Sequence, residues 1–337
     1  MFVKRIYPPL QTVLWTKRYI LLFVVLSVVP VLLQEFANVR IFVPWLPMAL
    51  IGTAVAFYIG FKNNTSYERQ WEARKLYGAL VNTSRTWALH VNGYLTAQFA
   101  AGHVDEQALQ AAKTRLVHRH LAWLHALRFQ LRTHRPWEMN NAENTEYRKR
   151  LYIDEYETEK FAALAPYLSP QELEGLRDKA NTATAILQDQ MQDLVHLRAA
   201  NWIDDFRHME LGNRLRELYD HQGGLERIKS FPLPRQYASL NIYFVWLFLF
   251  LLPYGMLPEF DKLGKNMVWL TVPFSTLICW VFHTMELIGS HSENPFEGSI
   301  NDVPITTLTR TMEIDLLQAI GATAVPPPLQ PVNGVLM

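Results

Sequence analysis

The sequence of 337 residues holds a single cysteine, Cys279, which excludes an intrachain disulfide framework and any site built from several cysteine ligands. Cys279 lies inside an apolar run, where a thiol acts as a small buried hydrophobe. An excess of one charge is also missing. There are 32 Lys and Arg against 31 Asp and Glu, and no basic stripe with interleaved aromatics, so nucleic acid is not an expected partner. No glycine-rich phosphate loop, nucleophile elbow or HExxH is present, so no catalytic residue, metal set or resident cofactor is expected. The basic start MFVKRIYPPLQTVLWTKR has no small-residue cleavage site after it, and removal of a secretory signal is not expected. No alternating run is long enough to predict a sheet.

What the chain does have is clustered apolar residues. Four stretches are apolar enough to enter a bilayer: residues 19–33, 41–61, 240–257 and 267–289. The first is short against the ~20 residues that a spanning helix needs, so it requires tilt or its flanks. Pro30 can kink it where a neighbouring helix satisfies the freed carbonyl. Lys4, Arg5, Lys17 and Arg18 precede the first stretch, whereas the hairpin after it offers only Arg40. Lys62, Arg69, Arg74 and Lys75 follow the second, and Arg227, Lys229 and Arg235 precede the third. This bias places both termini and residues 62–238 in the cytoplasm. The expected organisation is a first membrane hairpin within 1–61, a cytosolic helical domain at 62–238, and a second membrane hairpin at 239–289. A cytosolic segment at 290–320 and a proline-rich, disordered tail at 321–337 complete it.

The polar middle reads as helical. Residues 68–95 and 105–131 keep apolar positions three and four apart. LSPQELEGLRDKA carries a helix start: Ser169 as cap, Pro170 at the first helical position and Glu172 closing a capping box. His118 and His125 share a helix face while His120 points elsewhere. With no carboxylate at ligand spacing, the three are expected to lie on a solvated basic face. Asp204 and Asp205 read as ordinary solvated charge. His283 and Glu286 are less ordinary, because they lie three apart near the end of the fourth apolar stretch. Either they snorkel to the interface, or they form an intramembrane ionisable pair able to relay protons.

In IGTAVAFYIGFKNNTSYERQWEARKLYG (51–78), an apolar run passes without a break into a charged one that keeps helical spacing. Thr53, Phe57 and Phe61 recur every fourth residue and form one stripe, and Gly52, Ala56 and Gly60 form a second, suited to close helix approach. On spacing alone the bulky stripe is most simply a lipid or helix contact. It would serve as a pore lining only in a closed ring of identical subunits, where Asn63 and Asn64 could meet water without a charge penalty.

GFKNNTSYERQWEARKLYGALVNTSR (60–85) resembles the signature of the bestrophin family, particularly its bacterial members. ELIGSHSENPFEGSINDVPITTLTRTMEIDL resembles the family's Asn-Pro-Phe stretch and prokaryotic Asn-Asp-x-Pro run, and SFPLPRQY matches the approach to its third membrane helix. The resemblance covers roughly residues 10–320. It implies an all-α integral membrane protein with four transmembrane helices per protomer, assembled as a homopentamer around one central pore in a bacterial inner membrane. It implies a passive channel for small inorganic ions, not an enzyme. Its three neck positions fall on Thr53, Phe57 and Phe61, with Thr53 standing where the family usually has an aliphatic residue, so a wetter outer neck is expected. Its cytosolic aperture falls on Phe206. Only Glu297 and Asp302 stand where animal members carry a calcium-binding acidic run, so calcium activation is not expected. The resemblance implies chloride for eukaryotic members and cations for at least part of the bacterial branch, and the reading leans slightly to anions as the family's default. A ring of Asp204 or Asp205 would favour cations instead, and the amides of Asn63 and Asn64 could serve either sign. A membrane-anchored scaffold, or a proton-coupled transporter using His283 and Glu286, stays open beside these.

Overall fold

Long apolar runs with few β-branched alternations give helices here, and the computed structural model describes residues 1–100, 105–139, 148, 151 and 153–337. The helices follow the order α1 (Pro9–Ala37), α2 (Trp45–Tyr94), α3 (Glu106–Arg132), α4 (Asp154–Glu157), α5 (Lys160–Leu164), α6 (Pro170–Leu176), α7 (Thr182–Ala199), α8 (Asp205–Ser230), α9 (Arg235–Asp261), α10 (Thr271–His291) and α11 (Ile305–Ala319). Among the described residues no strand occurs beyond isolated bridges. Among the described residues, four helices are long and apolar enough to cross a membrane: α1, α2, α9, and α10 with the turn that precedes it. The chain divides into two compact units. One comprises Lys4–Gln70 and Pro232–Asn294; the other comprises Met1–Val3, Trp71–Phe231 and Pro295–Met337.

In the first unit α1 spans 29 residues, ~44 Å at 1.5 Å per residue, so its flanks supply the length that residues 19–33 lack. Pro9 opens it, where a missing N–H costs nothing, and Asn38 closes it in the left-handed conformation. The core is formed by Phe23, Met48, Val55, Ile59, Val245, Phe248, Leu249, Leu252, Met256 and Cys279, so the thiol is buried as expected. Within one copy only Gly52 of the predicted small-residue stripe is a packing position. A Cβ on Gly52 would lie 2.9 Å from the Phe248 ring, which marks close approach of α2 to α9. Ala56 and Gly60 are exposed, and nothing lies within 4 Å of a Cβ at Gly60.

The second unit is organised around α3, whose buried residues lie on every side of its C-terminal half. Trp87, Leu116, Trp123, Leu127, Leu218, Met312 and Leu316 belong to its core. The capping box forms as the sequence predicts: the Ser169 hydroxyl accepts from the Glu172 N–H, and the Glu172 carboxylate accepts from the Ser169 N–H at 2.9 Å. Because the C-terminal half of α3 is buried all round, the solvated basic face expected for its histidines is corrected. His118 and His125 both pack on Tyr167, at ring-centroid distances of 5.9 and 5.2 Å, and His120 lies between Trp87 and Trp123. His120 and His125 are buried.

Burial pushes His120 down to about 3 and, helped by Arg128 and Arg310, holds His125 well below the usual imidazole range. The folded chain therefore refuses protons that the unfolded chain takes up near pH 6.5. Stability is full above that pH and falls below it, approaching ~1.4 kcal/mol per pH unit for each histidine. Thermal melts of the purified protein between pH 7.5 and 4.5 should show this loss. His120→Phe should shrink it, and an identical loss in the variant would contradict the assignment.

The tail also departs from expectation. Its prolines keep it out of a helix, but its last residues are packed. Asn333 and Gly334 take positive φ in a tight turn that pairs Val332 with Val335. Val335 and Met337 are buried with Leu151 and Ile153, and the Met337 carbonyl accepts from the Thr307 N–H and hydroxyl, both at 2.6 Å. Four apolar positions in VNGVLM supply a reason to dock that the proline count does not reveal.

Candidate functional site

In the first unit α2 has two faces. Met48, Gly52, Val55, Ile59, Lys62 and Ser66 follow one another at three- and four-residue steps, and all are buried. Thr53, Phe57, Phe61 and Asn64 stand exposed on the other side. Phe57 is 66% exposed and Phe61, one turn on, is 63% exposed. The Thr53 hydroxyl donates to the Ala49 carbonyl at 2.9 Å, and its exposed oxygen keeps lone pairs that can accept from water. At the polar end the two asparagines separate. Asn64 is exposed and donates to Glu68 at 2.8 Å, whereas Asn63 turns to α10 and donates to the Met285 carbonyl at 3.1 Å. A Cβ on Gly289 would fall 2.0 Å from the Asn63 side-chain oxygen, so this approach requires glycine there.

His283 and Glu286 are both buried, which corrects the snorkelling alternative. Their partners differ. His283 packs among Tyr19, Phe23 and Trp246 at ring-centroid distances of 4.1, 5.4 and 5.2 Å, and neither ring nitrogen has a hydrogen-bond partner among the described residues. Glu286 pairs with Lys62 at 2.9 Å. The Ser290 hydroxyl accepts from the Lys62 ammonium at 2.5 Å and donates to the same Glu286 oxygen at 2.6 Å. No hydrogen bond joins His283 to Glu286, so a relay between them is not built. Lys62 is the residue that sequence reasoning missed, because it was counted among the charges that set orientation. Its place in the three- and four-step series on the buried face of α2 was the available signal.

In the second unit Asp204 caps α8 by accepting from the Arg207 N–H at 2.9 Å, and its other oxygen lies 3.4 Å from the Arg207 guanidinium. Asp205 pairs with Arg198, whose hydrogen bond and charge hold the carboxyl below the usual carboxylate range. Phe206, in the first turn of α8, is 84% exposed. Each of the two candidate selectivity aspartates therefore has an arginine beside it.

The run after α10 is held by arginines as well. One Asp302 oxygen accepts from the N–H groups of Phe296 and Val303, at 2.8 and 2.7 Å. The other accepts from the Gly298 N–H at 2.7 Å and from Arg132 at 2.8 Å. Glu297 pairs with Arg148 at 2.5 Å.

The profile of bacterial and fungal bestrophin proteins matches residues 11–318. A voltage-dependent anion channel-forming protein of Ralstonia nicotianae is 30% identical over 277 residues, covering 82% of this chain and 77% of that one. Another protein of that description, from Escherichia coli K12, is 27% identical over 285 residues, covering 85% and 80%. The crystal structure of a bacterial bestrophin homolog from Klebsiella pneumoniae shares the fold with a TM-score of 0.73 at 24% identity, over 90% of this chain and 98% of that one. With the family profile spanning nearly the whole length, including the two-faced α2 and the Asn-Pro-Phe run, this chain belongs to the bacterial and fungal bestrophin family.

Proposed function

We propose that five copies of this chain form a ring in a bacterial inner membrane, with both termini in the cytoplasm, around one pore that passes small monovalent anions. The observation that carries the reading is the exposed stripe of Thr53, Phe57 and Phe61, opposite the face that α2 buries in its own unit. In a single copy such a stripe would face lipid, whereas in a closed ring it meets the same stripe of the other copies. There the phenylalanines make a constriction that gates by dewetting. The number five comes from the family resemblance, and the anion from relatives described as anion channel-forming.

Phe206 forms a second constriction. Beside it, Arg207 and Arg198 offset Asp204 and Asp205, so the ring does not carry the bare negative charge that would select cations. A cation-selective pore of the same fold would require those aspartates freed from their arginines. The test has two parts. The purified protein should have a mass five times that of the chain. Phe206→Ala should raise the permeability of larger anions relative to chloride more than it alters open probability, whereas unchanged permeability would remove Phe206 from the pore.

A further inference from the structure

Phe61 and Lys62 are neighbours on α2, yet one stands on the exposed stripe and the other on the buried face. Lys62 is wholly buried, and its ammonium is held in a closed triangle with the Glu286 carboxylate and the Ser290 hydroxyl of α10. Glu293 adds a second carboxylate 4.0 Å from Lys62 and is itself paired with Arg235 at the start of α9. One residue further on, Asn63 donates to the Met285 carbonyl, and Gly289 admits it. Two consecutive residues of α2 are thus fastened to a single stretch of α10, residues 285–290. Hydrophobic packing alone lets a helix slide or turn by small amounts. A buried charge does not, because leaving its partners exposes unpaired ionic groups to an apolar interior.

We infer that Lys62 is a positioning residue for the pore: anchored to Glu286 and Ser290, it fixes the rotation of α2 and so the reach of Phe61 into the constriction. The inference rests on the ring-and-stripe reading above. Successive side chains on a helix are about 100° apart, so a turn of α2 that frees Lys62 necessarily carries Phe61 off the stripe's line. Lys62, wholly buried, does not touch the permeating ion in this role. The ion meets Phe61, and Lys62 acts through the helix. The Lys62–Glu286 pair also accounts for two buried ionisable groups without assigning either to proton transfer.

Single-channel recording on variants that elute as the intact oligomer tests this. Ser290→Ala removes one hydroxyl from the triangle and should assemble normally. Lys62→Met with Glu286→Gln removes the pair without leaving a buried charge unpaired. Each should raise open probability about ten-fold, the scale of one lost charge-assisted hydrogen bond, together with the permeability of larger anions relative to chloride. Lys62→Arg, which keeps the charge, should restore values towards the parent. Unchanged or lower values in intact Ser290→Ala and in the double variant would overturn the inference. Failure of the ring reading looks different: in that case Phe57→Ala and Phe61→Ala would also leave the current unaltered.

Discussion

Phe61→Ala should pass more current than the parent, and Phe57→Ala should do the same. Both side chains are about two-thirds exposed on a face that its own unit leaves uncovered. In a closed ring they meet one another and exclude water, and full burial of one phenylalanine is worth roughly 1.5–3 kcal/mol. Loss of even part of that contact in each copy favours the wetted state by about ten-fold or more. The effect should appear as a raised open probability at unchanged oligomeric mass. If the stripe instead met lipid or sealed subunits together, the same substitutions would leave the current unchanged or loosen the ring. Loss of assembly with no gain of current would sink the neck assignment.

The second large effect concerns stability. Arg132 is 1% exposed and bonds Asp302, while Glu155 lies 4.0 Å from its Nε. Asp302 in turn organises the backbone of residues 296–303 through three N–H groups. Arg132→Met removes the cation and leaves the Asp302 carboxylate buried without it, whereas Glu155 keeps Arg128 at 3.6 Å. Breaking a buried pair in this way costs ~3–5 kcal/mol, a large share of the ~5–15 kcal/mol that holds an ordinary domain together. Little folded protein should be recovered, with a strongly lowered melting temperature in what remains. Adding Asp302→Asn should recover part of the loss, because one unpaired charge then disappears. A single variant that melts like the parent would show that Asp302 is held well enough by its backbone donors alone.

The residues that could be read from the sequence were those whose signal lies within one helix. The run from Ile51 to Gly78 does form one helix, because no proline, glycine pair or cap interrupts it. The Ser169 box forms because its two partners are three residues apart. The exposed stripe was visible as a four-residue repeat, although nothing in the repeat told which side the protein would cover. Features that depend on distant partners were not legible. Glu286 finds Lys62 across 224 positions, and Asn63 finds Met285 across 222, so no local pattern joins them. The two asparagines looked equivalent until α10 drew one of them away. His120 looked solvated because the surface beside it belongs to Trp87 on another helix. Asp204 and Asp205 looked like free charge, yet the first caps a helix and the second meets Arg198, seven residues back.

The most direct measurement is current through the purified oligomer in a planar bilayer under a chloride salt gradient, with Phe61→Ala recorded alongside. The account predicts a reversal potential displaced towards the chloride equilibrium potential, and a larger current of the same selectivity in the variant. A reversal potential at the cation's equilibrium value would contradict the anion pore, and silence from both proteins in an intact ring would contradict a pore altogether.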